Sequence, residues 1–260
     1  MDHFRLDQIA DDAWAAVAIP DCGAVANAGF VRAGDDVVVF DTFVTVAAGD
    51  RLRISAEVVA PVSYAINSHW HGDHVNGNKS FDDVPIVATE RTRELIEERG
   101  RVNVDAFRDD PEERAKARRE GGTAAVLEKE VDDFVLVLPT KTFVEQIELD
   151  GALAETLGGG HTESDAFLWF EDTLFAGDLV VIETHPWVGH GDIEHWLEIL
   201  DAFEARRPRL IVPGHGPVGS VDDIPPLRRY LEALLAGTAT AVEGWNHPEI
   251  HERNVEALSS

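Results

Sequence analysis

The chain has 260 residues, with 22 Lys and Arg against 49 Asp and Glu, for a formal charge of −27. A surface this negative repels DNA, RNA and anionic membranes, which argues against all three as partners. Hydrophobic residues make up 44% of the chain, enough to bury a sizeable core, so the charge does not imply disorder.

Short apolar strands alternate with amphipathic helices. Strands are predicted at Trp14–Ile19, Ala24–Arg32 and Asp36–Phe40, with Gly34-Asp35 as the turn between the last two. A helix over Ala47–Ala60 ends at Pro61. Strands Val62–Asn67 and Pro85–Thr89 precede a helix over Glu90–Arg99, closed by Gly100, where left-handed geometry is cheap. In Arg108–Glu120 ten of thirteen residues are charged. Residues 101–130 therefore read as an exposed helical insertion, either a solvated excursion or a lid. Strands return at Asp133–Leu138, Phe143–Leu149, Leu153–Leu157, Ala166–Phe170 and Thr173–Ala176. Asp192 caps a helix whose Ile193, Trp196, Leu197, Leu200 and Phe203 share one face. Strand Leu210–Pro213 and a C-terminal helix at about 225–243 follow, and the polar tail Asn246–Ser260 reads as loose. The whole is expected to be one domain of two sheets with helices packed outside.

Ser68-His69-Trp70-His71-Gly72-Asp73-His74 follows directly on an apolar strand. Three imidazoles and a carboxylate are costly to crowd together unless a cation binds them, and both are common zinc ligands. Gly72 is expected to supply the flexibility for a turn that lets the imidazoles of this segment converge. Three further ligand-type residues sit beside glycine just past strand ends: His161 in Gly158-Gly-Gly-His-Thr, Asp178 in Phe175-Ala-Gly-Asp, and His215 in Val212-Pro-Gly-His-Gly. Each alone is an ordinary turn. Together with the His-rich segment they describe a site at one sheet edge, the usual place in a layered α/β fold.

The pattern resembles the metallo-β-lactamase superfamily, whose five motifs match Asp41, the 69–74 segment, His161, Asp178 and His215 in order. The resemblance implies a four-layer αββα sandwich of two mixed β-sheets around a dinuclear centre. By it, His69, His71 and His161 bind one metal and Asp73, His74 and His215 the other. Asp178 bridges both, and Asp41 orients a ligand from behind. Two zinc ions per chain are implied, although such donors also accept iron or manganese. Asp at position 178 resembles the glyoxalase II-like and lactonase-like members rather than the true β-lactamases, which carry Cys or Ser there.

The implied function is hydrolysis of a small ester, thioester or lactone, with Asp73 as the residue that handles a proton. Alternatives are a mononuclear-iron persulfide dioxygenase-like oxidoreductase and β-lactam hydrolysis. Trp70, His185 and Trp187 are expected to line the substrate pocket. Arg228 and Arg229 read as solvated helix charges rather than a basic substrate cluster, and His190 and His195 as loop and helix-surface residues.

The basic residues are 18 Arg and 4 Lys, facing 25 Asp and 24 Glu. This reads as adaptation to a high-salt cytoplasm, with a GC-rich genome as the competing source. The single cysteine, Cys22, permits no intrachain disulfide. With no basic-then-apolar leader and no long apolar run, a cytoplasmic location is expected.

Overall fold

The run Asp36–Phe40 shows how the fold is built. Val37 and Val39 face one apolar cluster while Val38 and Phe40 face another, so this strand is covered on both sides and reads as a continuous apolar run. The structure is a computed structural model that describes residues 2–20, 22–100, 108–120, 125–126, 128–129, 131–132 and 134–259. Strands β1 (Phe4–Ala10), β2 (Ala13–Ala18), β3 (Ala28–Ala33) and β4 (Asp36–Phe40) form an antiparallel meander. It continues in parallel through β5 (Val62–Ile66), β6 (Ile86–Thr89) and β7 (Lys141–Phe143). The second sheet runs β12 (Leu210–His215), β11 (Thr173–Val181), β10 (Ala166–Phe170), β9 (Ala152–Thr156), β8 (Gln146–Leu149), parallel only between β11 and β12.

The sheets share an apolar interior in which Val31, Val38, Phe40 and Ile66 meet Ala154, Leu168, Phe175 and Val212. Helix α1 (Val46–Glu57) covers the outer face of the first sheet through Ala48, Leu52 and Ala56. Helices α5 (Ile193–Arg206) and α6 (Ile224–Leu235) cover the second through Trp196, Leu200, Phe203, Leu227 and Leu231. Two mixed sheets with helices outside make the expected αββα layering. Shorter helices lie between: α2 (Gly72–Val75), α3 (Glu90–Leu95) and α4 (Pro111–Glu120), with α7 (Pro248–Ser259) at the end. Among the described residues no helix is long and apolar enough to cross a membrane.

Several expectations are corrected. Phe4–Ala10 is a strand that the sequence reading passed over, because as an edge strand it alternates only weakly between buried and exposed positions. The predicted strand at 133–138 is not one: residues 134–139 carry no regular secondary structure and pair with no strand, and Asp133 lies outside the described residues. There Phe134 packs inward, while side chains rather than a neighbouring strand satisfy three carbonyls, Arg108 that of Phe134, Asn78 that of Val137 and Arg93 that of Pro139. The predicted strand Phe143–Leu149 is two strands in different sheets, with the chain crossing over at Val144-Glu145. The helix starting at Glu90 finishes in a π turn over Ile96–Gly100, and Gly100 does not take a left-handed conformation. The C-terminal helix stops at Leu235 rather than near 243, because Gly237 (φ +66°) and Thr238 turn their N–H groups back onto Leu234 and Ala233.

The tail also differs. Pro248–Ser259 is helical, and its Asn254 is fully buried, donating to the Pro186 carbonyl and accepting from the Val188 N–H. Of the charged insertion, residues 101–107 lie outside the described residues. In the described part Val126 and Val131 pack on Val44, close to the loop that follows β4.

Candidate metal centre

The site lies where β4, β5 and β12 end, at the irregularity within β11 and at the loop after β9; β11 runs on to Val181 rather than stopping at Ala176, so Asp178 lies within it. Residue Asp41 follows β4 in a left-handed conformation (φ 60°), which Asp tolerates better than most residues. Its buried carboxylate accepts from Ser68 N at 2.8 Å, Ser68 Oγ at 2.8 Å and His74 Nδ1 at 2.7 Å. Thr42 then donates through N and Oγ1 to the His74 carbonyl. The loop after β4 and the His-rich segment therefore brace one another. His71 is the extended N-cap of α2, and Asp73 and His74 lie in that helix. Gly72 opens the helix without a left-handed turn, and the space beside it is taken by Asn76, which a Cβ would approach to 2.7 Å. Its contribution is room rather than the flexible turn predicted.

On the second sheet, a register shift between β11 and β12 at Gly177 (φ 54°) re-aims the chain so that Asp178 enters the site. A Cβ on Gly214 would stand 1.9 Å from Asp178 Oδ1, so only glycine leaves that oxygen its place. The loop bearing His161 is wound around Asp165, which is buried and accepts from the N–H groups of Gly160, His161 and Thr162 and from the Thr162 hydroxyl. Burial pushes the Asp165 carboxyl up against the opposing pull of His161 and these hydrogen bonds.

Two donor groups result. His69, His71, His161 and Asp178 each offer a ligand atom, all lying within 4.8 Å of one another, and so do Asp73, His74 and His215. Asp178 joins the groups. Its Oδ2 lies 3.2 Å from His161 Nε2 and 3.9 Å from His69 Nε2, while its Oδ1 lies 3.2 Å from His74 Nε2 and 3.5 Å from His215 Nε2. Asp73 Oδ2 lies 3.5 Å from His215 Nε2.

The remote ring nitrogens set the tautomers. His74 Nδ1–H donates to Asp41, and His161 Nδ1–H donates to the Trp187 carbonyl at 3.0 Å. The Ser68 hydroxyl already donates to Asp41, so His69 Nδ1–H donates to its oxygen at 2.9 Å. In the neutral rings each Nε2 is thus left as a lone pair facing the site. Burial opposes charge on His74, but Asp178 and Asp41 raise its pKa well above the ordinary histidine range, so they draw a proton there when no cation is bound. His71 is reversed: its Nδ1 lies 3.0 Å from His161 Nε2, and its Nε2 faces His190 at 2.8 Å.

These donors fit a cation. His69 Nε2, His74 Nε2 and Asp178 Oδ1 are buried without a hydrogen-bond partner, as is Trp70 Nε1. Orphaned buried polar atoms are expensive, and a metal ion is the group that satisfies lone pairs converging from several sides. Burial and the neighbouring imidazoles hold His69 and His71 well below the ordinary histidine range, so both present neutral rings. Burial opposes charge on Asp178 and Asp73, yet the facing imidazoles keep both ionised, Asp73 down at about 2. Burial would likewise lower His215, but Asp178 and Asp73 push it up to about 10. Carboxylates that draw protons onto His215 so strongly also draw a cation.

A sequence profile described as the Metallo-beta-lactamase superfamily matches residues 23–215. The chain belongs to the metallo-β-lactamase superfamily. It is 23% identical over 257 residues to the Metallo-beta-lactamase type 2 of Bacteroides fragilis, covering 92% of this chain and 89% of that one. It is also 23% identical over 180 residues to the Beta-lactamase-like protein 2 homolog of Caenorhabditis elegans, covering 64% of this chain but only 46% of that protein. Among solved structures, the DIM-1 metallo-β-lactamase superimposes with a TM-score of 0.67 at 16% identity, covering 89% and 97% of the two chains. The metallo-β-lactamase from Hirschia baltica does so at 0.66 and 18% identity, covering 87% and 96%. At these identities the structural likeness establishes the metallo-β-lactamase fold and nothing finer.

The structure brings together His69, His71, Asp73, His74, His161, Asp178 and His215, with Asp41 behind them. It does not bring His185. That residue is buried, with Nδ1 at 2.8 Å from the Asn246 carbonyl and Nε2 accepting from Val242 N–H at 3.0 Å. Packed on Tyr230 and Trp245, it pins the C-terminal segment instead of lining a pocket. Trp70 is largely interior, against Val75, Leu95 and Ile96, with the Arg99 guanidinium 4.9 Å over its ring. Trp187 is half-buried, with the Arg253 guanidinium 4.7 Å over its ring. Sequence reasoning missed three residues of this metallo-β-lactamase site. Asp165, four residues after His161, carried a signal as a loop-winding carboxylate. Ser68 and His190 carried none, since their roles exist only once distant loops close.

Proposed function

We propose that the chain is a metal-dependent hydrolase with a dinuclear zinc centre that cleaves an ester, thioester or lactone of a small molecule. One observation carries the dinuclear reading: the two oxygens of Asp178 face different donor groups, Oδ2 toward His69 and His161, Oδ1 toward His74 and His215. His69, His71 and His161 would hold one ion, Asp73, His74 and His215 the other, with Asp178 common to both. Bound there, the ions supply Lewis acidity that acidifies a water and polarises a carbonyl.

The chain's own residues supply the rest. Asp73 is a carboxylate near neutral pH and partly open to solvent, so it can take the proton given up by the attacking water and pass it to the leaving group. Asp41 and Ser68 keep His74 and His69 in their ligand tautomers, and Asp165 keeps His161 in place. Asp73 and His215, with His71 the less buried of the seven, are partly open to solvent and mark the open side of the site, and the charge of −27 supports a small molecule rather than nucleic acid as substrate.

Elemental analysis with a panel of thioesters, lactones, phosphoesters and β-lactams tests this reading. Two zinc per chain and turnover of a carbonyl ester are expected. One iron per chain with oxygen uptake would sink it in favour of a dioxygenase. Cephalosporin turnover above every ester would transfer the assignment to β-lactams, against which Asp178 speaks by its resemblance to non-β-lactamase members.

A further inference from the structure

Each metal-facing histidine in the first group needs an outer partner to hold its tautomer. Two have partners of unambiguous polarity: the Trp187 carbonyl behind His161, and for His69 a Ser68 hydroxyl already committed to Asp41. His71 has another imidazole, His190, which in principle could donate or accept. The neighbouring indole removes the choice. Trp187 Nε1 lies 3.2 Å from His190 Nδ1, and an indole nitrogen only donates. His190 Nδ1 is therefore a lone pair, and the proton of the neutral ring sits on Nε2. The same Nδ1 is 2.8 Å from His71 Nε2. Since it accepts from Trp187 it cannot donate to His71, so His71 must carry its proton on Nε2. That leaves His71 Nδ1 unprotonated, and this is the nitrogen 3.0 Å from His161 Nε2, facing the other ligands.

We propose that His190 is a positioning residue that fixes the ligand tautomer of His71, with Trp187 in turn fixing His190. The inference rests on the metal-centre reading above. Trp187 then sets two ligands at once, His161 through its backbone carbonyl and His71 through its indole and His190. The ring contacts agree: His190 meets Trp70 in a tilted contact at 5.0 Å and Trp187 edge-on at 5.6 Å between centroids, which limits rotation away from His71.

The test is zinc affinity of the full chain, titrated against a chromophoric chelator, with the absorption spectrum of the cobalt-loaded protein as a second readout. Asn places its carbonyl oxygen near the position of imidazole Nδ1, whereas Gln places its polar atoms near Nε2. His190→Asn is expected to keep zinc affinity within about threefold of wild type, while His190→Gln weakens it about 10–100-fold and shifts the cobalt bands. Trp187→Phe removes the indole donor but keeps the carbonyl, and should weaken binding in the same direction; it decides the matter if His190→Gln does not fold. Wild-type affinity and spectrum in His190→Gln, or Asn as weak as Gln, overturns the proposal while leaving the metal centre standing. A wild-type chain that binds no metal overturns both.

Discussion

Asp41→Asn isolates what one buried carboxylate does. Asn tolerates the left-handed φ of 60° about as well as Asp, so the backbone is not a confounding factor. The native carboxylate accepts three hydrogen bonds of 2.7–2.8 Å, from Ser68 N, Ser68 Oγ and His74 Nδ1. An amide has one carbonyl oxygen. Turned toward Ser68 N, it presents its NH2 to His74 Nδ1–H; turned toward His74, it presents the NH2 to the Ser68 N–H. The Ser68 hydroxyl can reverse, but the first turn strands His74 Nδ1–H unless the imidazole moves its proton to Nε2, and the second strands the Ser68 N–H. A stranded buried donor costs about 1–3 kcal/mol, and hydrogen bonds to an ionised partner are worth about 1.5–3 kcal/mol each. Against this, burial already pushes the Asp41 carboxyl up, and a neutral amide escapes that penalty. The net expectation is about 1–3 kcal/mol of lost stability in metal-free protein, read by urea denaturation.

The larger effect should be on metal. In the first amide orientation His74 must accept at Nδ1, which moves its proton to Nε2, the nitrogen 3.2 Å from Asp178 Oδ1. In the second, Ser68 loses its backbone tether and with it the orientation of His69. Either route predicts zinc binding weakened about 10–100-fold. Asp41→Asn protein that takes up both zinc equivalents with wild-type affinity and unfolds at the wild-type midpoint would refute the reasoning.

Gly214→Ala should displace Asp178, since the new Cβ would stand 1.9 Å from its Oδ1; loss of at least one zinc equivalent is expected, and full stoichiometry with full activity would show that the strand end yields. Asn254→Ala should cost about 1–3 kcal/mol, measured by thermal or urea unfolding, because the Pro186 carbonyl and Val188 N–H lose their buried partner. In metal-free protein His215 has a folded pKa of about 10 against an ordinary 6.5. Its stabilisation is complete below the unfolded value and lost as pH rises through the folded one, so chelated protein should lose up to about 1.4 kcal/mol per pH unit between about pH 7 and 10. Metal-loaded protein, whose ligands are already deprotonated, should show no such slope, and a flat or rising curve in chelated protein contradicts the assignment. With a charge of −27, unfolding midpoints in dilute buffer should rise on adding molar salt of a weakly denaturing kind such as KCl; a salt-independent midpoint would remove the case for salt adaptation.

The candidate metal ligands were legible because the chemistry is compressed into one heptapeptide, and because His161, Asp178 and His215 each directly follow a glycine at the close of an apolar stretch. The layering was legible for a similar reason: Val37 to Phe40 can be apolar on both faces only if both faces are covered. What was hidden depends on pairing across long sequence distances. Residues 134–139 are a continuous apolar run like a buried strand, but they pair with no strand, and side chains from Arg108, Asn78 and Arg93 take three of their carbonyls. The 248–259 helix hid behind polar composition because one Asn, not an apolar stripe, is its buried residue.

The carboxylates divide along the same line. Among the described residues four are buried: Asp41, Glu128, Asp165 and Asp178. Glu128 is held by Arg114 and Arg118 in the insertion, and the other three belong to the metal centre or the loop that serves it. Burying a carboxylate is costly unless it gains partners; Asp41, Glu128 and Asp165 have hydrogen-bond donors, while Asp178 faces only the histidines and leaves its Oδ1 without one. The acidity first visible in the composition is therefore two separate properties. Most of it is solvated and carries no positional signal. The buried carboxylates, and Asp73 at the edge of the site, are each fixed by particular neighbours. Composition cannot distinguish the two kinds, and only the closing of loops around Ser68, His74, His161 and His215 assigns a carboxylate to one or the other.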